Sequence, residues 1–455
     1  MIENPFFHRG PIRDPEYFYD RVRETRLALQ MLGKRQSVSV TGPRKIGKTS
    51  LLLHTSRPEV MQKHGLDPAQ HLFVYINCED LGRLSRDVLY TLLIGEIAEQ
   101  SAQQEGHHIA TPEHPISHLE FERAIGKTFR QNKDLKLTLL FDEFELLSQN
   151  RSLGFEFFSG LRALATRFNI AYLTVSRRPL LTLLHNEDYS PFFNIFVPLK
   201  LGLFSKAASQ ELIEDSLTKA GATLPSTIVD SVLDIGGGHP FFLQVAGYWA
   251  LELQETKGAP LETRDIHLLR QSVQGQIESH FAYYWSHLTE REQYVLAALP
   301  FTQEEERYRE ELETLTSLCL VVEEMGRYHY FSPLFRDFVR RQEVNCLFQA
   351  GPFVLDGADQ RVLQRDEPLP LSASQYGLMA YLMERQGQVI SSEELDREVL
   401  WASTEDPEKY QYLGDERLKS AIKGLRKALG EDATCIENKR GIGYVFRVRS
   451  SGEEV

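Results

Sequence analysis

Several features that assign a chain to a special class are scarce or missing here. No apolar run approaches the ~20 residues needed to span a bilayer, and the opening MIENPFFHRG lacks the charged-then-apolar pattern of a secretory signal. The four cysteines lie far apart and form neither a zinc-binding spacing nor a disulfide framework; they are Cys78, Cys319, Cys346 and Cys435. Fixed-period repeats are also missing, which argues against solenoids and propellers. We therefore predict a cytoplasmic protein with reduced thiols and no membrane partner.

Basic residues are in short supply as well. The 455 residues include 51 Lys+Arg against 64 Asp+Glu, a net charge of -13. This balance argues against a protein that coats nucleic acid indiscriminately, although it leaves room for a local basic surface. The hydrophobic fraction of 42% and the charged fraction of 25% are typical of globular protein. At roughly 100–200 residues per domain, the length allows about two to four domains.

Short apolar, β-branched runs alternate with helix-like stretches over the first 200 residues. The runs are residues 37–41, 72–77, 137–142 and 171–176. Buried strands that alternate with helices predict a parallel sheet flanked by helices, the α/β class. Beyond residue 200 the pattern becomes helical, and from about 280 it is helices followed by a Gly-turned hairpin. A last unit, from about 346, combines strands, helices and a second Gly-turned hairpin.

A phosphate-binding loop is predicted directly after the first of these strands. Residues 42–49 fit the pattern G-x-x-x-x-G-K-[ST], in which backbone N–H groups surround a phosphate. Lys48 would reach the β and γ phosphates and assist catalysis, and the Thr49 hydroxyl would hold Mg²⁺. The predicted nucleotide-binding set is Gly42, Pro43, Arg44, Lys45, Ile46, Gly47, Lys48, Thr49 and Ser50.

Polar residues follow two later strands and complete the predicted site. Asp142 would join the magnesium shell, and Glu143 would polarise the attacking water as the catalytic base. The strand 171–176 runs into Arg177 and Arg178, and a guanidinium at that edge can pair with the γ-phosphate. A surface arginine pair that caps a loop is the alternative for this last element.

Residues 15–345 resemble a STAND-class NTPase, one of the AAA+-related signalling ATPases. The phrase Phe18-Tyr-Asp-Arg21-Val-Arg-Glu24 matches the segment that precedes the P-loop in that family, with Asp20 where many members have Gly. The resemblance implies that Arg21 contacts the nucleotide, that Arg177 rather than Arg178 is the sensor, and that Pro240 packs on adenine. Taken alone, the surrounding GGGHP is a helix-breaking turn. The resemblance also implies ATP or ADP with Mg²⁺ as ligands, an NTPase domain (1–200), a helical lid (201–275) and a first winged helix (276–345).

The remaining residues, 346–455, resemble the winged-helix effector domain of OmpR-like response regulators, which we call the C-terminal winged helix. Residues 371–382 and 390–401 match its first two helices, 415–429 matches its recognition helix, and Arg440-Gly-Ile-Gly-Tyr444 matches its wing. The resemblance implies double-stranded DNA as a partner. No phosphorylated receiver domain is visible, so the ATPase module would replace it as the input.

The predicted recognition helix has one apolar stripe and a basic remainder. Leu418, Ile422, Leu425 and Leu429 recur at spacings that bury one face. The other face is predicted to be exposed and to contact DNA, and the wing to add phosphate or minor-groove contacts. The predicted DNA-binding residues are Lys419, Lys423, Arg426, Lys427, Lys439 and Arg440. Residues 346–455 nevertheless contain 14 Lys+Arg against 19 Asp+Glu, so we expect modest, salt-sensitive or cooperative binding.

The leading hypothesis is an ATP-controlled DNA-binding regulator with slow hydrolysis, which self-associates on ATP binding or responds to a separate sensor protein. Two alternatives stay open: a STAND-type defence or stress sensor that acts through a protein partner, and an AAA+ adaptor that loads on DNA or serves transposition. A metal site at His107, His108, His114 and His118 is a minor alternative, because the surrounding residues indicate a loop. No signature of protease or other hydrolase chemistry is apparent.

Overall fold

The structure, a computed structural model, describes residues 4–6, 10–79, 81–103, 111–180, 190–299, 306–342, 344, 347–357, 360–365, 367–401 and 416–448. The chain forms two compact units. The first contains Met1–Glu278, Thr316–Leu320 and Phe331–Leu334, and the second contains Ser279–Leu315, Val321–Tyr330 and Phe335–Val455. Within the described ranges, no helix is long and apolar enough to cross a membrane. The four-part division by sequence stays a prediction.

A five-stranded parallel sheet organises the first unit, in the order β2-β3-β4-β1-β5. Its strands are β1 (Ser37–Thr41), β2 (His71–Asn77), β3 (Lys136–Asp142), β4 (Ile170–Ser176) and β5 (Phe196–Lys200). Every residue of β4 is buried, as expected for a central parallel strand covered on both faces. The predicted α/β class is confirmed, and β5 is an edge strand that the pattern of apolar runs did not reveal.

Helices cover both faces of this sheet. They are α1 (Val22–Gly33), α2 (Lys48–Thr55), α3 (Pro58–Lys63), α4 (Arg86–Gln103), α5 (His118–Gln131), α6 (Phe144–Ser148), α7 (Gly154–Arg167) and α8 (Ser190–Phe193). One apolar cluster joins β1 and β4 to α1 and α2, and a larger aromatic-rich cluster joins β2 and β3 to α4, α5 and α7. The sequence starts α5 with a capping box, in which Ser117 and Glu120 satisfy each other's backbone N–H groups.

The predicted lid is helical. Its elements are α9 (Lys206–Lys219), α10 (Ser226–Gly236), α11 (Pro240–Lys257) and the first part of α12 (Ile266–Ser286). Gly237 and Gly238, with φ of 53° and 74°, end α10 in the left-handed region. A Cβ at Gly237 would collide with the carbonyl oxygen of Phe331, so the glycine lets the Phe331–Leu334 segment pack against the lid.

The second unit contains most of the first winged helix and the C-terminal winged helix. The first has α13 (Glu290–Ala297), the helix Arg309–Ser317, the hairpin β6 (Val321–Glu324) and β7 (Arg327–Tyr330), and the helix Pro333–Val339. Its hairpin turns at Met325 and Gly326, both with positive φ. The predicted hairpin about a Met-Gly turn is therefore present.

The C-terminal winged helix opens with an antiparallel sheet in the order β11-β10-β9-β8. The strands are β8 (Leu347–Ala350), β9 (Phe353–Asp356), β10 (Arg361–Gln364) and β11 (Glu367–Pro368). The helices Ala373–Glu384 and Ser392–Leu395, a π-helical turn over Asp396–Trp401, and the recognition helix (Glu416–Leu429) follow. A second sheet contains β12 (Ile390–Ser391), β13 (Ile436–Lys439) and β14 (Gly443–Phe446).

The two winged helices pack on each other within the second unit. Ala298, just after α13, forms a small buried cluster with Val354 and Leu363 of the β8–β11 sheet. Beside it the Tyr294 hydroxyl donates a hydrogen bond of 2.8 Å to Asp356 Oδ2, and Asp356 is fully buried. The C-terminal winged helix is thus joined to the first winged helix by apolar packing and by the hydrogen bond between Tyr294 and Asp356.

Candidate nucleotide-binding and DNA-binding sites

The predicted P-loop joins the end of β1 to α2. Lys45 and Gly47 have positive φ values of 64° and 98°, and such alternation turns successive backbone N–H groups toward one point. A Cβ at Gly42 would lie 2.9 Å from the carbonyl oxygen of Leu201, so only glycine fits where the loop passes the end of β5. This backbone fits a phosphate group, and α2 adds the favourable dipole of a helix N-terminus.

Lys48 is buried at the start of α2. Its ammonium donates a hydrogen bond of 2.9 Å to the Pro43 carbonyl, so the side chain folds back over the loop. Burial lowers the pKa of Lys48, and the carboxylates of Glu143, Glu145 and Asp142 partly offset that effect. Burying an ammonium costs several kcal/mol unless anionic groups compensate it, as phosphate oxygens do.

Thr49, in the first turn of α2, is hydrogen-bonded to Asp142, the last residue of β3, and the predicted magnesium site requires this proximity. The Thr49 hydroxyl donates to Asp142 Oδ2 at 2.8 Å, the Tyr75 hydroxyl donates to the same oxygen at 3.0 Å, and the Glu143 N–H donates to Oδ1 at 3.1 Å. Burial raises the pKa of Asp142, whereas the bonds from Thr49 and Tyr75 lower it. A hydroxyl and a carboxylate side by side are hard oxygen donors that suit Mg²⁺.

Glu143 and Arg177 lie together, directly after the carboxyl-terminal ends of β3 and β4. Glu143 has φ of 51°, and burial, followed by the charge of Glu145, raises its pKa. The Arg177 Nε lies 3.7 Å from Glu143 Oε2 and 2.7 Å from Glu145 Oε1. The backbone carbonyl of Arg178 accepts a hydrogen bond from the Ser176 hydroxyl. The base and sensor roles of Glu143 and Arg177 stay predictions.

Glu145 is a site residue that the sequence motif did not single out. It is 3% exposed, one carboxylate oxygen binds Arg177, and the other, Oε2, is buried without a hydrogen-bond partner among the described residues. The signal in the sequence is the third acid of Asp-Glu-Phe-Glu, which the first turn of α6 directs back toward the strand end. An acidic residue at this position fixes the orientation of the arginine's guanidinium.

Arg21 is buried against protein groups. Its guanidinium donates to the carbonyl of Gly202 at 2.7 Å and to that of Ile46 at 3.3 Å, and it lies 4.7 Å from the ring centre of Phe204. These contacts connect the P-loop to the segment that enters the lid. The prediction that Arg21 contacts the nucleotide is not tested by them, but they assign it a structural role next to the loop.

Pro240 starts the lid helix α11 close to the P-loop. The Lys45 ammonium lies 5.5 Å from the ring centre of Phe241, the residue that follows Pro240. Proline at the first helical position lacks the N–H that would otherwise be unsatisfied there. The lid and the loop therefore approach each other next to Pro240, and the packing of Pro240 on adenine stays a prediction.

The recognition helix has the predicted buried stripe and a partly different basic face. Lys423 and Lys427 are exposed, and the ion pairs found among the described residues do not include them. Lys419 pairs with Glu416 at 3.3 Å. The prediction that Arg426 is exposed is wrong: it is half-buried, because its guanidinium donates to the Ile436 carbonyl at 2.5 and 3.2 Å. A contact between Arg426 and DNA stays a prediction.

The wing adds one exposed cation. Arg440 is exposed at the turn between β13 and β14, whereas Lys439 pairs with Glu437 at 2.9 Å. Ile442, 62% exposed, lies at the tip beside Arg440. Gly424 weakens the recognition helix on propensity alone; a Cβ there would lie 2.8 Å from the side-chain nitrogen of Gln375, the movable end of a flexible side chain, so packing does not require glycine at this position.

The structure does not test the histidine alternative as a whole, because it describes only two of the four residues, His114 and His118. His107 and His108 lie outside the described residues, as does Asp415 at the predicted start of the recognition helix. The Nδ1 atom of His118 lies 3.0 Å from the hydroxyl oxygen of Tyr90. Among the described residues no group of three or more His, Cys, Asp or Glu side chains is arranged to hold a metal ion.

Two family models match the chain, one in each part. The model described as Novel STAND NTPase 2 matches residues 27–304, more than half of the chain. The model described as Transcriptional regulatory protein, C terminal, matches residues 366–446. The chain therefore carries an NTPase domain and a response-regulator-type winged-helix domain.

Similar proteins agree with this division. The Walker-type ATPase PABY2304 of Pyrococcus abyssi has 19% identity and a TM-score of 0.55, over 74% of this chain and 99% of that one. The ORC2 protein of Aeropyrum pernix has 17% identity and a TM-score of 0.50, over 74% and 96%. Such identities concern the fold alone. The transcriptional regulatory protein CrdR of Helicobacter pylori is 39% identical over 82 residues, which are 18% of this chain and 32% of CrdR.

Proposed function

Since the chain belongs to the Novel STAND NTPase 2 family, we propose that it is an ATP-binding and ATP-hydrolysing switch that controls DNA binding by its C-terminal winged helix, as a transcriptional regulator does. The observation that carries the nucleotide part is the hydrogen bond of 2.8 Å between Thr49 and Asp142. It brings the predicted metal ligands of two motifs, 93 residues apart in sequence, to one point. Lys48 lies buried beside them.

ATP is the proposed substrate, and the chain's own residues supply most of the chemistry. The P-loop N–H groups and Lys48 bind the phosphates, and Thr49 and Asp142 hold the metal. Mg²⁺ at these ligands neutralises charge on the phosphate oxygens. Glu143 accepts a proton from the attacking water, and its raised pKa brings it closer to the operating pH of a base. Arg177, oriented by Glu145, is the group proposed to sense the γ-phosphate.

DNA binding is proposed for the exposed cations of the recognition helix and wing. Lys423, Lys427 and Arg440 are exposed in the part of the structure that would face a groove. The similarity of this domain to a transcriptional regulatory protein supports the proposal. Because a few exposed cations in an acidic domain give a weak field, we expect ATP-dependent self-association to add affinity.

The packing between the two winged helices supports control of one part by the other. The contact of Tyr294 with Asp356 and the apolar cluster around Ala298 join the C-terminal winged helix to the first winged helix. A ligand shifts such a system only through its different affinity for two states. We propose that ATP and ADP differ in the state of the lid and first winged helix that they favour.

The test selects bound fragments from random duplex DNA with ATP, with ADP and without nucleotide. We expect one nucleotide state to enrich a defined sequence, and Lys48→Ala to abolish both ATP binding and the nucleotide dependence of the selection. Lys63→Ala is the matched control, because Lys63 is an exposed lysine on α3, outside the site. Identical selections in all three states would refute the switch, and retained ATP binding by Lys48→Ala would refute the phosphate site.

A sensor that acts through a protein partner is a second candidate. It is favoured by one observation: Lys419 and Lys439, two of the predicted DNA-contacting residues, are paired with carboxylates of their own domain. If the wild-type protein has no duplex affinity at low salt with ATP, with ADP or without nucleotide, this candidate replaces the regulator.

A further inference from the structure

Tyr75 lies on β2, the edge strand beside the strand that carries Asp142. Its hydroxyl donates a hydrogen bond of 3.0 Å to Asp142 Oδ2, the oxygen that also accepts from Thr49 at 2.8 Å. The side chain packs with the cluster around α1 and α2, on the same face of the sheet as the P-loop helix. Tyr75 therefore contacts the proposed metal ligand although it belongs to neither nucleotide motif.

The carboxylate of Asp142 is held at both oxygens. Two hydroxyl donors bind Oδ2, and the Glu143 N–H binds Oδ1 at 3.1 Å. Rotation of the carboxylate about its last torsion would break bonds at both ends. Of the three donors, the Tyr75 hydroxyl is the one that comes from outside the P-loop and the Asp142–Glu143 pair.

The backbone of Tyr75 is itself clamped. Among the described residues β2 is an edge strand, so one side of its backbone has no neighbouring strand there. The Gln100 side chain of α4 fills this gap: its carbonyl oxygen accepts the Tyr75 N–H at 2.9 Å, and its amide donates to the Tyr75 carbonyl at 3.1 Å. The same amide donates to Glu96 at 3.0 Å. The ring is thus fixed at its base and its hydroxyl.

We propose that Tyr75 is a positioning residue, which holds the Asp142 carboxylate in the orientation that binds the Mg²⁺ accompanying the nucleotide. The inference rests on the proposed function, because Asp142 has a metal to bind only if the site takes ATP with Mg²⁺. Hydrogen-bonding partners of metal ligands typically change metal affinity by about 10- to 100-fold when they are removed. Tyr75→Phe removes the one hydroxyl and keeps the packed ring.

The test measures the affinity of the full-length protein for a fluorescent ATP analogue, once with excess Mg²⁺ and once with EDTA. The ratio of the two dissociation constants is the metal-dependent gain. We expect Tyr75→Phe to leave the constant in EDTA within about twofold of wild type and to lower the gain about tenfold or more. Tyr172→Phe is the matched control: Tyr172 lies on β4 of the same sheet, is fully buried, and donates to the Leu161 carbonyl at 2.7 Å.

Each other outcome overturns the proposal in a recognisable way. An unchanged gain in Tyr75→Phe means that the hydroxyl does not serve metal binding. Parallel weakening with Mg²⁺ and in EDTA, or an equal effect of Tyr172→Phe, means a general structural role. If wild type binds the analogue without any metal-dependent gain, the positioning role fails while the nucleotide site stands. If wild type does not bind the analogue at all, the proposed function itself fails.

Discussion

Replacing Tyr294 by Phe removes one hydroxyl from the contact between the two winged helices, and we expect it to uncouple them. The Tyr294 hydroxyl donates at 2.8 Å to Oδ2 of Asp356, and the Asp356 side chain is fully buried. The substitution keeps the aromatic ring, so the neighbouring apolar cluster of Ala298, Val354 and Leu363 stays packed. The substitution therefore removes the hydrogen bonds of this hydroxyl, including the one to the buried carboxyl group of Asp356, and leaves the apolar packing in place.

The size of the effect follows from the kind of bond. A hydrogen bond to a charged group contributes about 1.5–3 kcal/mol, and its loss leaves the buried carboxylate less well compensated. Since about 1.4 kcal/mol changes an equilibrium constant tenfold, the ratio of docked to undocked C-terminal winged helix should fall by about ten- to a hundredfold. Opening of this contact exposes the β9 and β10 strands that it covers.

Hydrogen exchange of the full-length protein measures this opening, and duplex binding with ATP and ADP measures its consequence. We expect faster exchange in β9 and β10 and a smaller nucleotide dependence of DNA affinity in Tyr294→Phe. Tyr376→Phe is the control, because the Tyr376 hydroxyl donates at 3.2 Å to the backbone carbonyl of Asp356 within the C-terminal winged helix. If Tyr294→Phe matches wild type in both measurements, the contact does not couple the two parts.

Two further predictions concern the recognition helix and the pH dependence of stability. Replacing Lys423 and Lys427 by Ala should lower the slope of log affinity against log salt by roughly 2, because each phosphate contact contributes about 0.9; an unchanged slope in a binding titration would exclude them from the interface. Burial lowers the pKa of His54 to about 4, so its neutral ring stabilises the fold fully above pH 6.5, and this stability is lost as the pH falls toward 4. His54→Phe keeps an aromatic ring stacked on Phe18, where the ring centres lie 3.8 Å apart, but removes the group that titrates. Between pH 7 and pH 5 the wild type should therefore lose about 1–2 kcal/mol more of its unfolding free energy than His54→Phe, after allowance for the partial exposure of His54. Equal pH profiles in urea titrations would contradict this prediction.

The sequence was sufficient wherever local pattern determines the structure. Buried apolar runs predicted β1 to β4, because a strand covered on both faces has no polar alternation to obscure it. The P-loop was predictable because its glycine spacing is a backbone requirement. The buried stripe of the recognition helix followed from helical periodicity, and all four of its residues are buried.

The sequence did not predict which side chains far apart in the chain contact each other. Tyr75 reads as one more aromatic residue in an apolar strand, and only the pairing of β2 with β3 brings it to Asp142, 67 residues away. The sequence places Arg426 on a basic face, but its guanidinium donates a hydrogen bond to the carbonyl of Ile436. The identity of such residues gives no signal, because their roles depend on which strand or hairpin the fold places beside them.

The two winged helices differ in charge at the element that matters for DNA. In each, one α-helix precedes the hairpin: Arg309–Ser317 in the first and Glu416–Leu429 in the second, where a short 3-10 helix, Gly430–Cys435, follows it. The first begins with an acidic turn, and its Arg309 is paired with Glu306 at 3.0 Å and Glu313 at 3.2 Å, so it offers phosphates no favourable face. In the proposed switch the first winged helix must therefore serve as a connector, and DNA contact falls to the second. This division explains how a chain with a net charge of -13 can bind DNA, because repulsion by the rest of the surface restricts binding to sites that the recognition helix and wing can reach.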